Sequence, residues 1–305
     1  MKRAGVLLLG ALPVIAAGVY FVVPGDSADS SDGSAASASS SASARSTRDD
    51  AKDRAEEERE ADDALIADLP PGLAAPAKKE LAQQLVSSAE NSTTRWRTAY
   101  GSIEDVGDGD GYTAGIIGFC TGTHDLLTLV ERYTEAHPDN GLAAYLPALR
   151  EVDGSDSHEG LDPGFTAAWK AEAEVPAFRE AQEEERDRVY FDPAVRLAKL
   201  DGLGTLGQFV YYDAMVFHGP DTDAEGFYGL RERAMGEAKT PGEGGSEKDY
   251  LDTFLDVRRQ AMEAKRPGID TSRLDTAQRR FLAAGNMELA TPLAWEMYGD
   301  TYRVP

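Results

Sequence analysis

Apolar side chains recur at spacings of three and four through most of residues 65–305, and one short segment interrupts that periodicity. The spacing places apolar side chains on one face of a helix. The interruption, IEDVGDGDGYTAGII at 103–117, alternates short apolar pieces with glycine and aspartate, as a hairpin or small sheet with flexible turns does. The pattern predicts a mainly α fold, α+β in class, whose few strands are concentrated in that segment.

The helical periodicity is clearest in three sets of residues: Leu81, Leu85, Val86 and Ala89; Leu126, Leu127, Val130 and Tyr133; Leu251, Phe254, Leu255 and Arg258. Glycine, proline or capping residues bound further predicted helices over Leu142–Arg150, Phe165–Ala173, Ala177–Asp187, Pro193–Phe217, Ala224–Lys239 and Thr276–Ala284. The tryptophans at 96, 169 and 295 have apolar neighbours in helical surroundings, which favours core positions over sugar-stacking surfaces.

The first 64 residues differ in composition from the rest. Lys2 and Arg3 precede an apolar run over 4–23, the order typical of an export signal. We predict a signal peptide over 1–28, or an uncleaved anchor, because the run is about as long as a membrane span. Residues 29–64, rich in Ser, Ala and acidic side chains, are predicted to be a disordered linker that ends in frayed helix. A secreted folded domain over 65–305 follows, held at a membrane only if 4–23 is retained.

The chain is strongly acidic, with 31 Lys and Arg against 54 Asp and Glu and a formal net charge of −23. Such a field repels nucleic acid and anionic surfaces and attracts polycations. Acidity also serves solubility alone. Charge therefore argues against a nucleic-acid partner without identifying a substrate.

Cysteine and histidine are scarce. Cys120 is the only cysteine, which excludes an intramolecular disulfide and any multi-cysteine zinc site. The apolar run GIIGFC before it predicts a small buried side chain. The four histidines are widely spaced with no ligand pattern, so we expect no metal and no cofactor.

Two carboxylates, Glu90 and Asp108, stand in contrasting local sequence. Glu90 ends a predicted helix, beside apolar positions that favour a protonated carboxyl. Asp108 lies among glycines, where an acid stays solvated and backbone can approach a ligand closely. One protonated acid and one carboxylate base are what inverting glycoside hydrolysis requires. Taken singly, each has a simpler explanation, a solvated helix end and a turn residue, and spacing alone favours those explanations.

Long stretches of the chain resemble the family 46 chitosanases. The matching segments are LVSSAENS, IEDVGDGDGYTAGIIGFCTGTHD, ERDRVYFDPAV, GQFVYYDAMVFHGP, FLDVRRQAM, DTSRLDTAQR and WEMYGD, which extend from about Lys78 to Tyr302. The resemblance implies a two-lobed lysozyme-like fold with a long helix between the lobes and a substrate cleft between them. It implies an inverting endo-hydrolase of β-1,4 linkages between glucosamine residues in partly acetylated chitosan. We expect a monomer that binds chitosan and glucosamine oligosaccharides, because a polymer cleft must stay open.

The resemblance also assigns roles to individual residues. Glu90 matches the proton donor, Asp108 the general base and Thr113 the hydroxyl that helps to hold the attacking water, since a hydroxyl both donates and accepts. Asp125 matches the acid that contacts the amino group of a bound glucosamine, a charge-assisted contact that an N-acetyl group does not make. From the sequence alone Asp125 is equally an N-cap for the helix that begins DLLTLV.

The remaining matching positions are of two kinds, polar residues of the cleft and residues that support the general acid. Polar residues of the cleft are matched by Ser92, Thr123 and Asp300. A buried ionic network that supports the general acid is matched by Asp213, Arg258 and Arg273. Such networks more often stabilise architecture, and removal of one partner leaves a charge uncompensated.

Asp110 departs from the family pattern, which places an arginine between the two glycines at 109 and 111. That arginine contacts the sugar and lies near the catalytic base. Here a second acid stands two residues from Asp108, and like charges repel. We expect the sugar contact at this subsite and the pH optimum to differ from those of the family.

Two other functions remain open from the sequence. A lysozyme-like peptidoglycan hydrolase or transglycosylase would share the fold and the export signal, although a transglycosylase needs no base in the Gly-rich loop. A non-catalytic surface protein that binds polycations would account for the acidity and the tether.

Overall fold

The computed structural model describes residues 54, 56, 57 and 59–305. The chain divides into two units, Met1–Arg59 and Glu60–Pro305, and the second holds every site residue discussed below. The predicted signal segment and most of the predicted linker lie outside the described residues. Residues 59–67 are helical and span the predicted boundary at 65. Over the part of the chain that the structure describes, no helix has the length and apolarity to cross a membrane.

Helices make up most of the second unit. The α-helices, in chain order, are α1 (Pro76–Glu90), α2 (Asp125–Ala136), α3 (Leu146–Val152), α4 (Phe165–Glu172), α5 (Pro176–Arg186), α6 (Asp192–Leu200), α7 (Thr205–His218), α8 (Phe227–Glu237), α9 (Glu247–Lys265) and α10 (Arg279–Ala283). Two π-helical segments, Asp187–Phe191 and Arg273–Gln278, and 3₁₀ turns at Gly72–Ala74, Trp96–Thr98, Thr121–Thr123, Ala143–Tyr145 and Pro241–Glu243 complete the helical elements.

One continuous helical stretch runs from α5 through the first π segment to the end of α6. Pro193, the second residue of α6, has no N–H to donate one turn back, and the wider π turn precedes it. At one end α5 packs against α2, and at the other α6 packs against α7. This stretch is the long helix expected between the lobes of a lysozyme-like fold.

The predicted helix over Pro193–Phe217 is wrong, because the chain forms two helices there. α6 ends at Leu200 and α7 begins at Thr205. Gly202 between them has φ +77°, and a Cβ at this position would lie 2.8 Å from the backbone N of Gly242. Only glycine combines that backbone conformation with that close approach. Apolar residues recur with helical spacing on both sides of the break, so the sequence pattern predicted a single helix.

The segment predicted to carry strands forms a three-stranded antiparallel sheet in the order β1 (Ile103–Asp105), β2 (Tyr112–Ala114) and β3 (Phe119–Cys120). Thr113 lies at its centre, opposite Glu104 on one side and Cys120 on the other. The glycine-rich loop between β1 and β2 carries Asp108 and Asp110.

A second sheet was not predicted. β4 (Leu293–Met297) and β5 (Asp300–Val304) form an antiparallel hairpin closed by Tyr298 and Gly299, both with positive φ as a type I′ turn requires. The β4 sequence LAWEM contains strong helix formers. Alternate burial of Leu293, Trp295 and Met297 instead makes it a strand whose inner face joins the core, so packing outweighed propensity.

The remaining helix predictions are confirmed to within a few residues at each end, with 3₁₀ or π turns beginning the helices predicted at 142 and 276. The core prediction for tryptophan is also confirmed, since Trp96 is 4% exposed and Trp169 and Trp295 are fully buried. Each large apolar side chain removed from water in this way contributes roughly 1.5–3 kcal/mol. The core extends from α1 to β4 and anchors the elements that end at the site.

Candidate active site

The C-terminal end of α1 is fixed on two sides, and Glu90 is its last residue. Ser88 donates to the carbonyl of Leu85 and accepts from the indole N–H of Trp295 at 2.9 Å, which ties the last turn to β4. Asn91 donates to the carbonyl of Ile116 at 3.2 Å, which ties the helix end to the small sheet. The backbone of Glu90 is therefore held between the two sheets.

The Glu90 carboxyl is mostly buried, with 19% of its side chain exposed, and it contacts Arg273. Arg273 Nη2 donates to Glu90 Oε1 at 2.5 Å, and Arg273 Nε donates to Asp213 Oδ1 at 2.9 Å. The Arg273 guanidinium also lies over the ring of Phe217, 5.1 Å from its centroid. The first residue of the second π segment thus links the candidate acid to the core of α7.

Asp213 also accepts hydrogen bonds from two further buried residues, Arg258 and Gln278. Arg258 Nη2 donates to its Oδ2 at 3.1 Å and Gln278 Nε2 donates to the same oxygen at 2.5 Å, while Arg258 Nη1 donates to Gln278 Oε1 at 2.9 Å. All of these side chains are buried. Burial alone would raise the pKa of Asp213, but Arg273 and Arg258 hold that pKa below its usual value. The buried network that the resemblance implied is present, and Asp213 is its charged centre.

Burial raises the pKa of Glu90 above its ordinary value. The positive charge and hydrogen bond of Arg273 oppose that rise, and the nearby charge of Asp213 adds to it. The net direction favours the protonated form, because removing a carboxylate from water costs more than one shared guanidinium returns. Glu90 is suited to give up a proton rather than to take one.

Thr113 and Glu90 meet across Gly118. A Cβ placed on Gly118, whose φ is +76°, would lie 3.1 Å from Thr113 Cγ2 and 3.4 Å from Glu90 Oε2. The glycine between β2 and β3 therefore leaves space where these two side chains approach each other. Thr113, which the resemblance assigns to holding the attacking water, thus lies close to Glu90 in the fold.

Asp108 lies at the exposed tip of the glycine-rich loop. Asp108 Oδ1 accepts from the backbone N of Asp110 at 3.3 Å, and Asp110 O accepts from the backbone N of Gly122 at 2.9 Å. A Cβ at Gly122 would meet Asp110 Cα at 2.9 Å, so the loop rests closely on the 3₁₀ turn Thr121–Thr123. The Asp108 carboxylate is therefore exposed to water.

Asp125 is the first residue of α2, and His124, with φ +67°, occupies the N-cap position. The N-cap interpretation is therefore wrong, although a negative charge in the first turn suits the helix dipole. Its Oδ1 accepts from the backbone N of Cys120 and of Leu126 and from Thr123 Oγ1, at 2.8–2.9 Å. Its Oδ2 accepts from Tyr190 at 2.7 Å. Burial raises the pKa of Asp125 to about 6 against the opposing effect of these donors.

Three of the other predicted cleft residues, Ser92, Thr123 and Asp300, lie at the surface. Ser92 is exposed directly after α1 with φ +50°, and Asp300 is exposed at the start of β5. Both side chains affect the pKa of Tyr302. Burial and the charge of Asp300 raise it, and a side-chain hydrogen bond with Ser92 opposes the rise. Thr123 is exposed and donates to Asp125. Asp110 is half-buried.

Sequence reasoning missed three residues that hold the site together: Cys120, Tyr190 and Gln278. Cys120, predicted to be a small buried side chain, is half-buried, and Thr113 Oγ1 lies 3.3 Å from its sulfur. Tyr190 and Gln278 donate to Asp125 and Asp213. All three lie inside the segments that carried the family resemblance, which was the one available signal. Among residues 54, 56, 57 and 59–305, no group of three His, Cys, Asp or Glu could hold a metal ion.

Comparison with known proteins places this arrangement in a family. The model of glycosyl hydrolase family 46 matches residues 84–293, which include the general-acid candidate, the glycine-rich loop and the buried network. The chain belongs to glycosyl hydrolase family 46. The match covers more than half of the chain.

Two chitosanases similar in sequence and one solved chitosanase structure agree with this assignment. The chain is 57% identical over 231 residues to a chitosanase of Streptomyces sp. (strain N174), covering 76% of this chain and 83% of that protein. It is 52% identical over 233 residues to a chitosanase of Nocardioides sp. (strain N106), covering 76% and 84%. A co-crystal structure of chitosanase OU01 with substrate superposes with a TM-score of 0.75 at 51% identity, over 76% of this chain and 98% of that one. The lysozyme-like family 46 fold is thereby shown.

Proposed function

We propose that this chain is an endo-acting, inverting chitosanase that hydrolyses β-1,4 linkages between glucosamine units of partly acetylated chitosan. The observation that carries the proposal is Glu90, a mostly buried carboxyl with a raised pKa that Arg273 fixes and that, like Thr113, lies close to Gly118. Membership of family 46 and the chitosanase relatives support the substrate class.

In the proposed reaction Glu90 gives its proton to the glycosidic oxygen as the bond from that oxygen to the anomeric carbon breaks. A water held by Thr113 and Asp108 attacks the same carbon from the opposite face, and Asp108 takes one proton from that water. The new carbon–oxygen bond forms opposite the broken one, which inverts the anomeric configuration. Two carboxyl groups in different surroundings suit the two opposite proton transfers.

Recognition of the amino sugar is assigned to acidic groups. Asp125 is the candidate partner for a glucosamine ammonium, because a charge-assisted contact distinguishes a free amine from an N-acetyl group. The formal net charge of −23 favours encounter with a polycation. Ser92, Thr123, Asp300 and Asp110 are candidate contacts along the same cleft.

We also propose that the protein is exported and acts as a monomer. The charged start and the apolar run at 4–23 have the order of an export signal. A polymer-degrading enzyme meets its substrate outside the cell, and a cleft that accepts a long chain has to remain uncovered.

The test is a product analysis on two polymers. Purified chain is incubated with chitosan and with bacterial cell wall, and product lengths are followed over time. We expect rapid shortening of chitosan, early products in the α-anomeric form by proton NMR, and no shortening of cell wall. Cleavage of cell wall without cleavage of chitosan would establish the peptidoglycan alternative. Binding of chitosan with no product release would establish the non-catalytic one, and β-anomeric products would exclude inversion.

A further inference from the structure

Cys120 lies behind Thr113 on the neighbouring strand. The two residues are register partners in the β2–β3 pair, and Thr113 Oγ1 is 3.3 Å from Cys120 Sγ. The same sulfur lies 3.1 Å from the carbonyl oxygen of Gly118. The thiol therefore stands between a hydroxyl, which both donates and accepts, and a carbonyl, which only accepts.

The thiol of Cys120 has a single hydrogen, and this fixes which group donates in each of the two hydrogen bonds. Burial raises the pKa of the Cys120 thiol to about 12, so the sulfur keeps its single hydrogen at neutral pH. Only the S–H can donate to the Gly118 carbonyl, and a thiol that donates there has no hydrogen left for Thr113. The O–H of Thr113 then points at the sulfur, and its oxygen offers lone pairs alone to any third group.

We infer that Cys120 is a positioning residue that makes the Thr113 hydroxyl an acceptor for the attacking water. The inference rests on the proposed function, in which Thr113 and Asp108 hold that water. One hydrogen of the water is donated to Thr113 and the other to Asp108, which leaves an oxygen lone pair for the anomeric carbon. With the opposite polarity, Thr113 would donate to the water and compete for that lone pair. During attack the hydrogen on the Asp108 side leaves as the proton, and the other remains on the new sugar hydroxyl.

The test is a double-mutant cycle between Cys120 and Thr113. Cys120→Val fills a similar volume without a donor or an acceptor, whereas Cys120→Ser keeps one of each. We expect C120V to lower kcat on a glucosamine oligosaccharide about 3–10-fold, the usual effect of one neutral hydrogen bond, with KM changed less than about twofold. C120S should restore most of the lost kcat. In a Thr113→Val background, C120V should change kcat less than about twofold, because no hydroxyl remains to be oriented.

Three outcomes would overturn the role of Cys120 alone: full kcat in C120V, an equal loss with and without the Thr113 hydroxyl, or a C120S variant as slow as C120V at an unchanged melting temperature. Cys120→Ala, carried through the same cycle, serves if C120V does not fold. Thr253→Val, at a helix residue whose hydroxyl bonds the carbonyl of Asp249, is the matched threonine control and should keep wild-type kcat. An inactive wild-type chain would instead refute the proposed function, and that outcome is separate because it appears before any variant is made.

Discussion

Arg273 donates to Glu90 although 183 positions of sequence separate them. The guanidinium also pairs with Asp213, so one cation serves two carboxylates with opposite pKa shifts. Asp213 also pairs with Arg258 and its pKa is lowered, whereas Glu90 pairs with Arg273 alone among the described residues and burial raises its pKa. Arg273 therefore orients the candidate acid, while the pKa of Glu90 still lies above its ordinary value.

Replacing Glu90 by Gln removes the proton donor and keeps the shape of the side chain. We expect kcat on chitosan to fall about 10²–10⁴-fold, the usual contribution of a general acid, with oligosaccharide binding still measurable by calorimetry. Glu135→Gln, at an exposed position on α2, is the control and should keep wild-type kcat. Near-normal turnover in E90Q would remove Glu90 from the role of acid.

Replacing Arg273 by Met removes the charge that lowers the pKa of Glu90. The pKa of Glu90 should rise further, and because the acid works protonated, the alkaline limb of the kcat profile should move to higher pH. Arg273→Lys keeps a cation and should move it less. R273M should also lower the free energy of unfolding by roughly 3–5 kcal/mol, since buried Asp213 loses a partner.

The control for R273M is Arg279→Gln, which removes an arginine paired with surface carboxylates. Its pH profile should match that of the wild type. A limb that moves to lower pH in R273M, or moves equally in R279Q, contradicts the proposed coupling.

Asp125 should make substrate affinity depend on pH near 6, where it exchanges its proton. A protonated Asp125 cannot pair with an ammonium, so KM for glucosamine oligosaccharides should rise as pH falls through about 6. Asp125→Asn should have a high KM throughout and lack this added step. The same rise in D125N would assign the titration to a carboxyl group other than Asp125.

The same group has a consequence for stability. Burial raises the pKa of Asp125 from 3.8, its ordinary value, to about 6, so between these values the folded state holds a proton that the unfolded state releases. This residue therefore makes the free energy of unfolding fall as pH rises from about 3.8 to about 6. Urea titrations across that window should show a smaller fall for D125N.

Gly118→Ala should impair both activity and stability. The new methyl would press on Thr113 Cγ2 and lie against Glu90 Oε2, and φ is +76°; a left-handed non-glycine residue costs about 1–2 kcal/mol. We expect a lower melting temperature and a lower kcat than for Gly236→Ala, a helical position where a Cβ meets nothing within 4 Å. G236A should instead gain about 0.5–1 kcal/mol. Unchanged kcat in G118A would show that the two side chains tolerate separation.

Asp110→Asn tests the second acid of the glycine-rich loop, which stands between Gly109 and Gly111. Loss of one negative charge near the substrate should raise KM for a polycation about 1.5–5-fold at low salt, the range of an exposed ion pair, and the difference should shrink at high salt. Asp139→Asn, at an exposed position beyond α2, should leave KM unchanged. A lower KM in D110N would mean that this carboxylate hinders binding.

Local pattern was enough for the secondary structure around the candidate site. Leu81, Leu85 and Ala89 define the buried face of α1, and that face carries Glu90 to the end of the helix. Glycines on both sides of Asp108 predict a loop, and the loop is there. Where pattern failed, at Gly202 and in the β4–β5 hairpin, a contact from a distant part of the chain outweighed the local preference.

The sequence by itself determined most of the helices, the position of the small sheet and, through extended family-like segments, the family. Tertiary structure alone decided that Arg273 contacts Glu90, that Tyr190 contacts Asp125 and that the Cys120 sulfur stands behind Thr113. Helical and strand periodicity follow from backbone geometry within a few residues. The burial and the partners that give Glu90 and Asp125 their pKa shifts exist only once segments far apart in sequence are packed together.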